Sequence, residues 1–252
     1  MSEWLVLSIA MAAACAVVLI IIVLRQRRIG EDEDTTETPD VIEYMTMMVG
    51  VVYAIVLGLA IAGVWEARGA AEDTVRKEAQ ALHEVSERVR VYPAPVRDHI
   101  RADIDRYVAH VVHREWPVMA SRQQVTRQGT VLLGKVRADV TDHRPGNDFE
   151  SESYQPLLDQ VAAADDARNA RADSTGATLP SVVWFGLIIG AVITMGMLFA
   201  LQIRRSAREL VVAGVFSALI AFLLFLVWDF DAPFSRGIAA TTEPFTELFP
   251  HL

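Results

Sequence analysis

The stretch 45-MTMMVGVVYAIVLGLAIAGV-64 holds 20 residues without a single Asp, Glu, Lys or Arg. A helix rises about 1.5 Å per residue, so about 20 apolar residues match a hydrocarbon layer about 30 Å thick. Three more stretches have the same character: Trp4 to Leu24, Val182 to Leu201 and Leu210 to Trp228, of 21, 20 and 19 residues. Four such segments predict an all-α integral membrane protein with two helix pairs. Between the pairs lies a charged middle. The expected organisation is a first helix pair with its short acidic loop over 1–65, a helical soluble domain over 66–179, a second helix pair over 180–228, and a C-terminal tail over 229–252.

Composition narrows the function. Hydrophobic residues make up 52% of the chain and charged residues 22%. The formal net charge of −9 argues against nucleic acid, because neutralising phosphates needs clustered Lys and Arg. The expected surroundings are a lipid bilayer, further copies of the chain and inorganic ions. The one cysteine, Cys15, falls in the first apolar segment and excludes an intrachain disulfide or a cysteine metal cluster. The chain starts Met1-Ser2-Glu3 without a basic stretch, so the first segment reads as a permanent helix rather than a cleaved signal.

Orientation follows from the short loops, whose Lys and Arg content reports the cytoplasmic side. One short loop carries Arg25, Arg27 and Arg28, and the other carries Arg204, Arg205 and Arg208. This predicts a multi-pass protein with both termini and the middle domain outside the cytoplasm. The 16 Lys and Arg of the middle domain do not oppose this, since long domains cross largely regardless of charge.

The middle reads as helix throughout. Val75, Ala79, Leu82, Val85 and Val89 mark one amphipathic stretch, broken by Pro93 and Pro95. Val96, Ile100, Ile104, Tyr107, Val108 and Val111 mark a second, expected to end near Trp116-Pro117. Val125, Leu132, Val136 and Val140 mark a third. Pro145-Gly146 sits in an expected loop over 143–150, and Tyr154 to Asp165 suggest a fourth helix. Asp40 with Glu43, and Ser206 with Glu209, have capping-box spacing, while Thr178 with Pro180 opens the third apolar segment.

Several residues stand out chemically. Thr46, Gly50, Ala54, Gly58 and Ala62 recur every four positions, a row that serves either close helix packing or a pore-lining face. Tyr53 is the one aromatic well inside that segment. Gly186 and Gly190 form a GxxxG packing pattern in the third. Glu43 and Glu66 are expected to bound the second helix, with Asp229 and Asp231 following the fourth. Acids at a helix C-terminus oppose its dipole, and rings of acids in an oligomer attract cations. His110 and His113 with Glu115 have a spacing that zinc could use, but a solvated helix face accounts for them better, so no metal is expected. No nucleophile elbow, phosphate loop or HExxH pattern occurs, and neither an enzyme nor a cofactor is expected.

Four stretches are similar, in order, to a bacterial membrane family described as bestrophin-like: Ala81 to Val89 with the Pro93-Ala94-Pro95 break; Tyr107 to Glu115-Trp116; Leu179 to Trp184; and Asp229-Phe230-Asp231-Ala232-Pro233-Phe234 with Gly237. The resemblance spans about residues 41–248. It implies four helices per subunit, a pentamer, and an ion pore lined by the second helix. It also implies a cytoplasmic middle domain and anion conduction, whereas the loop arginines and boundary acids point to an external domain and a cation preference. The first expectation is therefore a homo-oligomeric ion channel or channel-like protein of a bacterial plasma membrane, with a weak preference for cations. The alternative is a non-conducting membrane scaffold or sensor whose helical domain binds a partner.

Overall fold

Helix α1, Asp40–Arg88, runs unbroken for 49 residues in the computed structural model, which describes residues 40–200, 207–236 and 241–252. The first apolar segment, its arginines Arg25, Arg27 and Arg28, the loop residues Arg204 and Arg205, the Ser206 cap and Gly237 lie outside the described residues. All described regular structure is helical. After a short 3-10 turn at Val89–Val91 come α2, Ala94–His110; a π turn, Val111–Glu115; α3, Trp116–Arg122; α4, Arg127–Asp142; α5, Asp148–Asp173; α6, Ser181–Ala200; α7, Ala207–Phe230; and α8, Glu243–Leu248.

The chain divides into two units, one of residues 1–65 with 179–231, the other of 66–178 with 232–252. In the first unit α1, α6 and α7 pack around Tyr53, Leu57, Val64, Leu187, Ile220 and Val227. Two described helices are long and apolar enough to span a bilayer, and only 17% and 22% of their most apolar stretches are buried. Met47, Val51, Ile55, Val182, Phe185 and Val212 stand exposed. A soluble core helix hides such residues, whereas lipid accepts them. The described part of α6 that is continuously apolar, Ser181–Met197, is shorter.

The second unit has an ordinary buried core. Val75, Leu82, Val85, Ile100, Ile104, Leu133, Val136 and Leu157 lie within it, closed from the C-terminal side by Phe234, Phe245 and Phe249.

Three sequence expectations change. Glu66 does not end α1, because the following Ala-, Glu- and Arg-rich residues are strong helix formers and the single Gly69 costs only about 1 kcal/mol. Trp116-Pro117 does not end the second helix either. A wide π turn, in which the Trp116 N–H bonds back to Val111 O, precedes the proline. Pro117 then falls in the first turn of α3, where its missing N–H leaves no intrahelical bond unmade. Finally, α5 starts at Asp148, well before Tyr154. The Asn147 side chain accepts from Glu150 N at 2.9 Å, and Glu150 Oε1 accepts from Asn147 Nδ2 at 2.8 Å, so the cap is reciprocal.

Candidate functional site

The row of small residues on α1 lies largely open within the subunit. Thr46 is buried and Gly50 half-buried, while Ala54, Gly58 and Ala62 are exposed. A Cβ added at Gly50 or at Gly58 would meet nothing within 4 Å. Thr46, Gly50, Ala54 and Gly58 line one side of an apolar groove, with Thr194 of α6 and Phe216 of α7 on the other. An open ridge of this kind allows another backbone, or an aqueous path, to approach closely.

Tyr53 turns away from that openness. It is buried, its ring lies 2.6 and 2.7 Å from where a Cβ of Gly190 would stand, and its hydroxyl donates to Leu187 O at 3.1 Å. Gly190 is therefore the place where α1 and α6 approach, and only a glycine fits beneath the ring. Gly186, one turn earlier, faces open space.

The boundary acids separate into two kinds. Glu43 and Glu66 are exposed. Asp229 and Asp231 are 7% and 2% exposed. Asp231 accepts from Leu179 N at 2.6 Å and from Trp184 Nε1 at 3.1 Å. Leu179 precedes α6, and Pro180 O accepts the first helical N–H groups at Val183 and Trp184. Asp231 thus satisfies an orphan donor at a helix start and places its charge at the positive end of the dipole. Nearby, Trp65 and Phe230 stack edge to face, 5.3 Å apart.

The second unit holds an arrangement that sequence reading missed. Glu78, Tyr107, Glu115 and Arg171 have 0% exposure and Arg168 has 3%. Arg171 donates to Glu78 Oε2 at 2.7 Å through Nε and to Glu78 Oε1 at 3.0 Å through Nη2. The same Nη2 reaches Glu115 Oε1 at 3.0 Å, and Nη1 points at Met119 Sδ, 2.8 Å away. Arg168 donates to Glu115 through both terminal nitrogens, to Tyr107 OH at 3.0 Å and to Thr126 O at 3.1 Å. Tyr107 OH donates to Glu78. Thr126 donates to Glu115 Oε2 from its N–H at 2.9 Å and from its hydroxyl at 2.7 Å.

The electrostatics follow from this geometry. Burial alone would raise the Glu115 carboxyl, but the hydrogen bonds from Arg168 and Thr126 and the charges of Arg171 and Arg168 hold it at about 2. Burial also opposes the charge on Arg171, yet Glu78 and Glu115 raise its affinity for the proton above the ordinary value. Burial and the Glu78 carboxylate push Tyr107 well above its usual range, so it stays a donor. Because the Thr126 hydroxyl spends its hydrogen on Glu115, His110 Nε2, 2.7 Å from that oxygen, carries the hydrogen of its contact. Burial first, then Arg168 and Arg114, lower the His110 pKa.

Two carboxylates and two guanidinium groups therefore balance, tying α1, α2, the π turn, the start of α4, and α5 together. A solvated face, the expectation for Glu115, is replaced by the centre of a salt-bridged core. The visible signal was the Tyr107 to Glu115-Trp116 stretch together with the paired arginines Arg168 and Arg171.

A family model described as the Bestrophin-like domain matches residues 12–245. Among solved structures, a bacterial bestrophin homologue from Klebsiella pneumoniae carrying a single substitution superposes with a TM-score of 0.68 at 12% identity, covering 96% of this chain and 94% of that one. A second, described as a membrane protein with a glycine-to-alanine substitution, gives 0.69 at 12% identity over 96% of this chain and 97% of its own. No curated protein matches significantly.

Proposed function

The chain belongs to the bestrophin-like family, and from that premise we propose that it forms an oligomeric ion channel in a bacterial plasma membrane, with the small-residue face of α1 toward a shared axis. The observation that carries this reading is the row Gly50, Ala54 and Gly58, left open on a helix whose apolar stretch is 17% buried. A single subunit with four membrane segments encloses too little space for an ion path, so the axis lies between copies. The family link supports five of them. The first apolar segment and the third complete a two-plus-two arrangement, and the loop arginines orient it with the second unit outside.

Selectivity for cations is part of the proposal. Glu66 follows Ala62 by four residues in α1 and is exposed, so an oligomer repeats its carboxylate as a ring. Such a ring concentrates cations and repels anions within about 8 Å at physiological salt. Asp231 contributes less than its position in the sequence promised, because both its oxygens are engaged by Leu179 and Trp184.

Reversal potential in liposome patches under a salt gradient tests the proposal. A reversal near the cation potential, moved toward zero by Glu66→Gln, supports it. A reversal near the chloride potential overturns the cation preference. No flux from folded, inserted protein overturns the channel and favours a scaffold whose helical domain binds a partner.

A further inference from the structure

His99 and Asp103 stand one turn apart on α2, and Asp139 reaches them from α4. His99 Nε2 lies 3.4 Å from Asp139 Oδ2 and 3.8 Å from Asp103 Oδ2. One ligand atom from each residue lies within 4.8 Å of the others. Asp103 is 2% exposed, and the Oδ2 atoms of both aspartates are buried without a hydrogen bond. The rest of the Asp103 charge is met from elsewhere. Lys135 Nζ donates to Oδ1 at 3.1 Å and stands 3.1 Å from Oδ2 as an ion pair, and Arg106 pairs with Oδ1.

Two carboxylate oxygens thus converge beside an imidazole nitrogen, the Asp103 one also within 3.1 Å of Lys135 Nζ. Facing carboxylates repel unless a proton or a cation stands between them. The spacing suits a metal. Zn–N and Zn–O bonds of about 2.0–2.2 Å with tetrahedral angles place ligand atoms ~3.3–3.5 Å apart. The 3.4 Å pair already fits, and His99, more than half exposed, can close the 3.8 Å gap by a small rotation. One nitrogen with two carboxylate oxygens favours zinc over magnesium or calcium, which prefer all-oxygen shells.

We propose that His99, Asp103 and Asp139 bind a divalent zinc-like cation that clamps α2 to α4, with water completing its coordination. Its test reads cation binding and melting rather than flux.

The test is isothermal titration calorimetry of Zn2+ into the full chain in detergent micelles, freed of any affinity tag, alongside thermal melting. Wild type should take up one Zn2+ per chain and melt at a higher temperature with it. His99→Ala and Asp139→Asn should each weaken binding at least tenfold and abolish the shift. Both variants should fold, since His99 is exposed and Asp139→Asn removes a repulsion. Undiminished binding in both variants, or no saturable binding to wild type, would overturn the site.

Discussion

Arg168 and Glu115, 53 residues apart in the chain, meet fork to fork, Nη1 to Oε1 at 2.6 Å and Nη2 to Oε2 at 2.8 Å, both essentially out of solvent. A two-bonded pair of this kind fixes direction as well as distance. Removing one partner leaves a buried charge uncompensated, at a cost of about 3–5 kcal/mol. Arg168→Met and Glu115→Gln should each lower the melting temperature of purified protein strongly, and the double variant should recover part of the loss. If the single variants melt like wild type, the pair does not hold this core together.

The same pair carries a pH signature. Glu115 sits at about 2 in the folded chain, below the ordinary 4.5 of a glutamate. A depressed carboxyl contributes stability that is complete above its unfolded value and lost as pH falls through the folded one. Its contribution should therefore hold from neutral pH down to about 4.5 and decline between about 4.5 and 2. Melting scans of wild type and Glu115→Gln should converge across that window; parallel curves would show that Glu115 does not titrate there.

Gly129, in the first turn of α4, lies directly against this pair. A Cβ there would collide with Glu115 Oε2 and would stand 2.5 Å from Arg168 Nη2. Gly129→Ala should destabilise by about 1–3 kcal/mol, as overpacking does. Gly134→Ala, on the same helix with nothing within 4 Å, should be neutral or stabilising by up to about 1 kcal/mol. Chemical denaturation of the two variants in parallel separates crowding from helix propensity, and equal effects would refute the contact.

The apolar segments were legible because their signal is local: length and lack of charge survive without any knowledge of partners. The break at Pro93 was legible for the same reason, since Pro93 carries the first turn of α2 on its carbonyl. The Glu78–Arg171 pair was not, because its members are 93 residues apart and charged side chains default to solvent in any periodic reading. Asp231 shows the same limit. Its position suggested a boundary charge, but only the fold brings Leu179 N and Trp184 to it. Pro117 misled because its effect depends on the π turn before it, which nothing in the residue pattern announces.

Gly190 gives the counterpart of Gly129 in the membrane unit. Gly190→Ala would press a methyl group to 2.6 Å from the Tyr53 ring and displace the hydroxyl from Leu187 O. The expected loss is about 1–3 kcal/mol in detergent melting. Tyr53→Phe should cost less, because it removes only the hydrogen bond. Gly186→Ala, facing open space, should leave the subunit's melting unchanged. A drop at Gly186 with oligomer loss would place that glycine at a contact between copies.

The proposed external orientation of the second unit rests on the arginines of the two short loops, against the cytoplasmic domain that the bestrophin resemblance implies. Six arginines on one side are a strong retention signal, since each opposes translocation of a short loop, whereas a domain of more than 100 residues is carried across largely regardless of its charge. Ser151 is exposed near the start of α5, so a thiol there is reachable without disturbing the core. Ser151→Cys, with Cys15 replaced by Ser, should react with a membrane-impermeant maleimide added to intact cells. Labelling only after lysis would reverse the topology, place Glu66 on the cytoplasmic side, and turn any charge ring there into an inner rather than an outer cation trap.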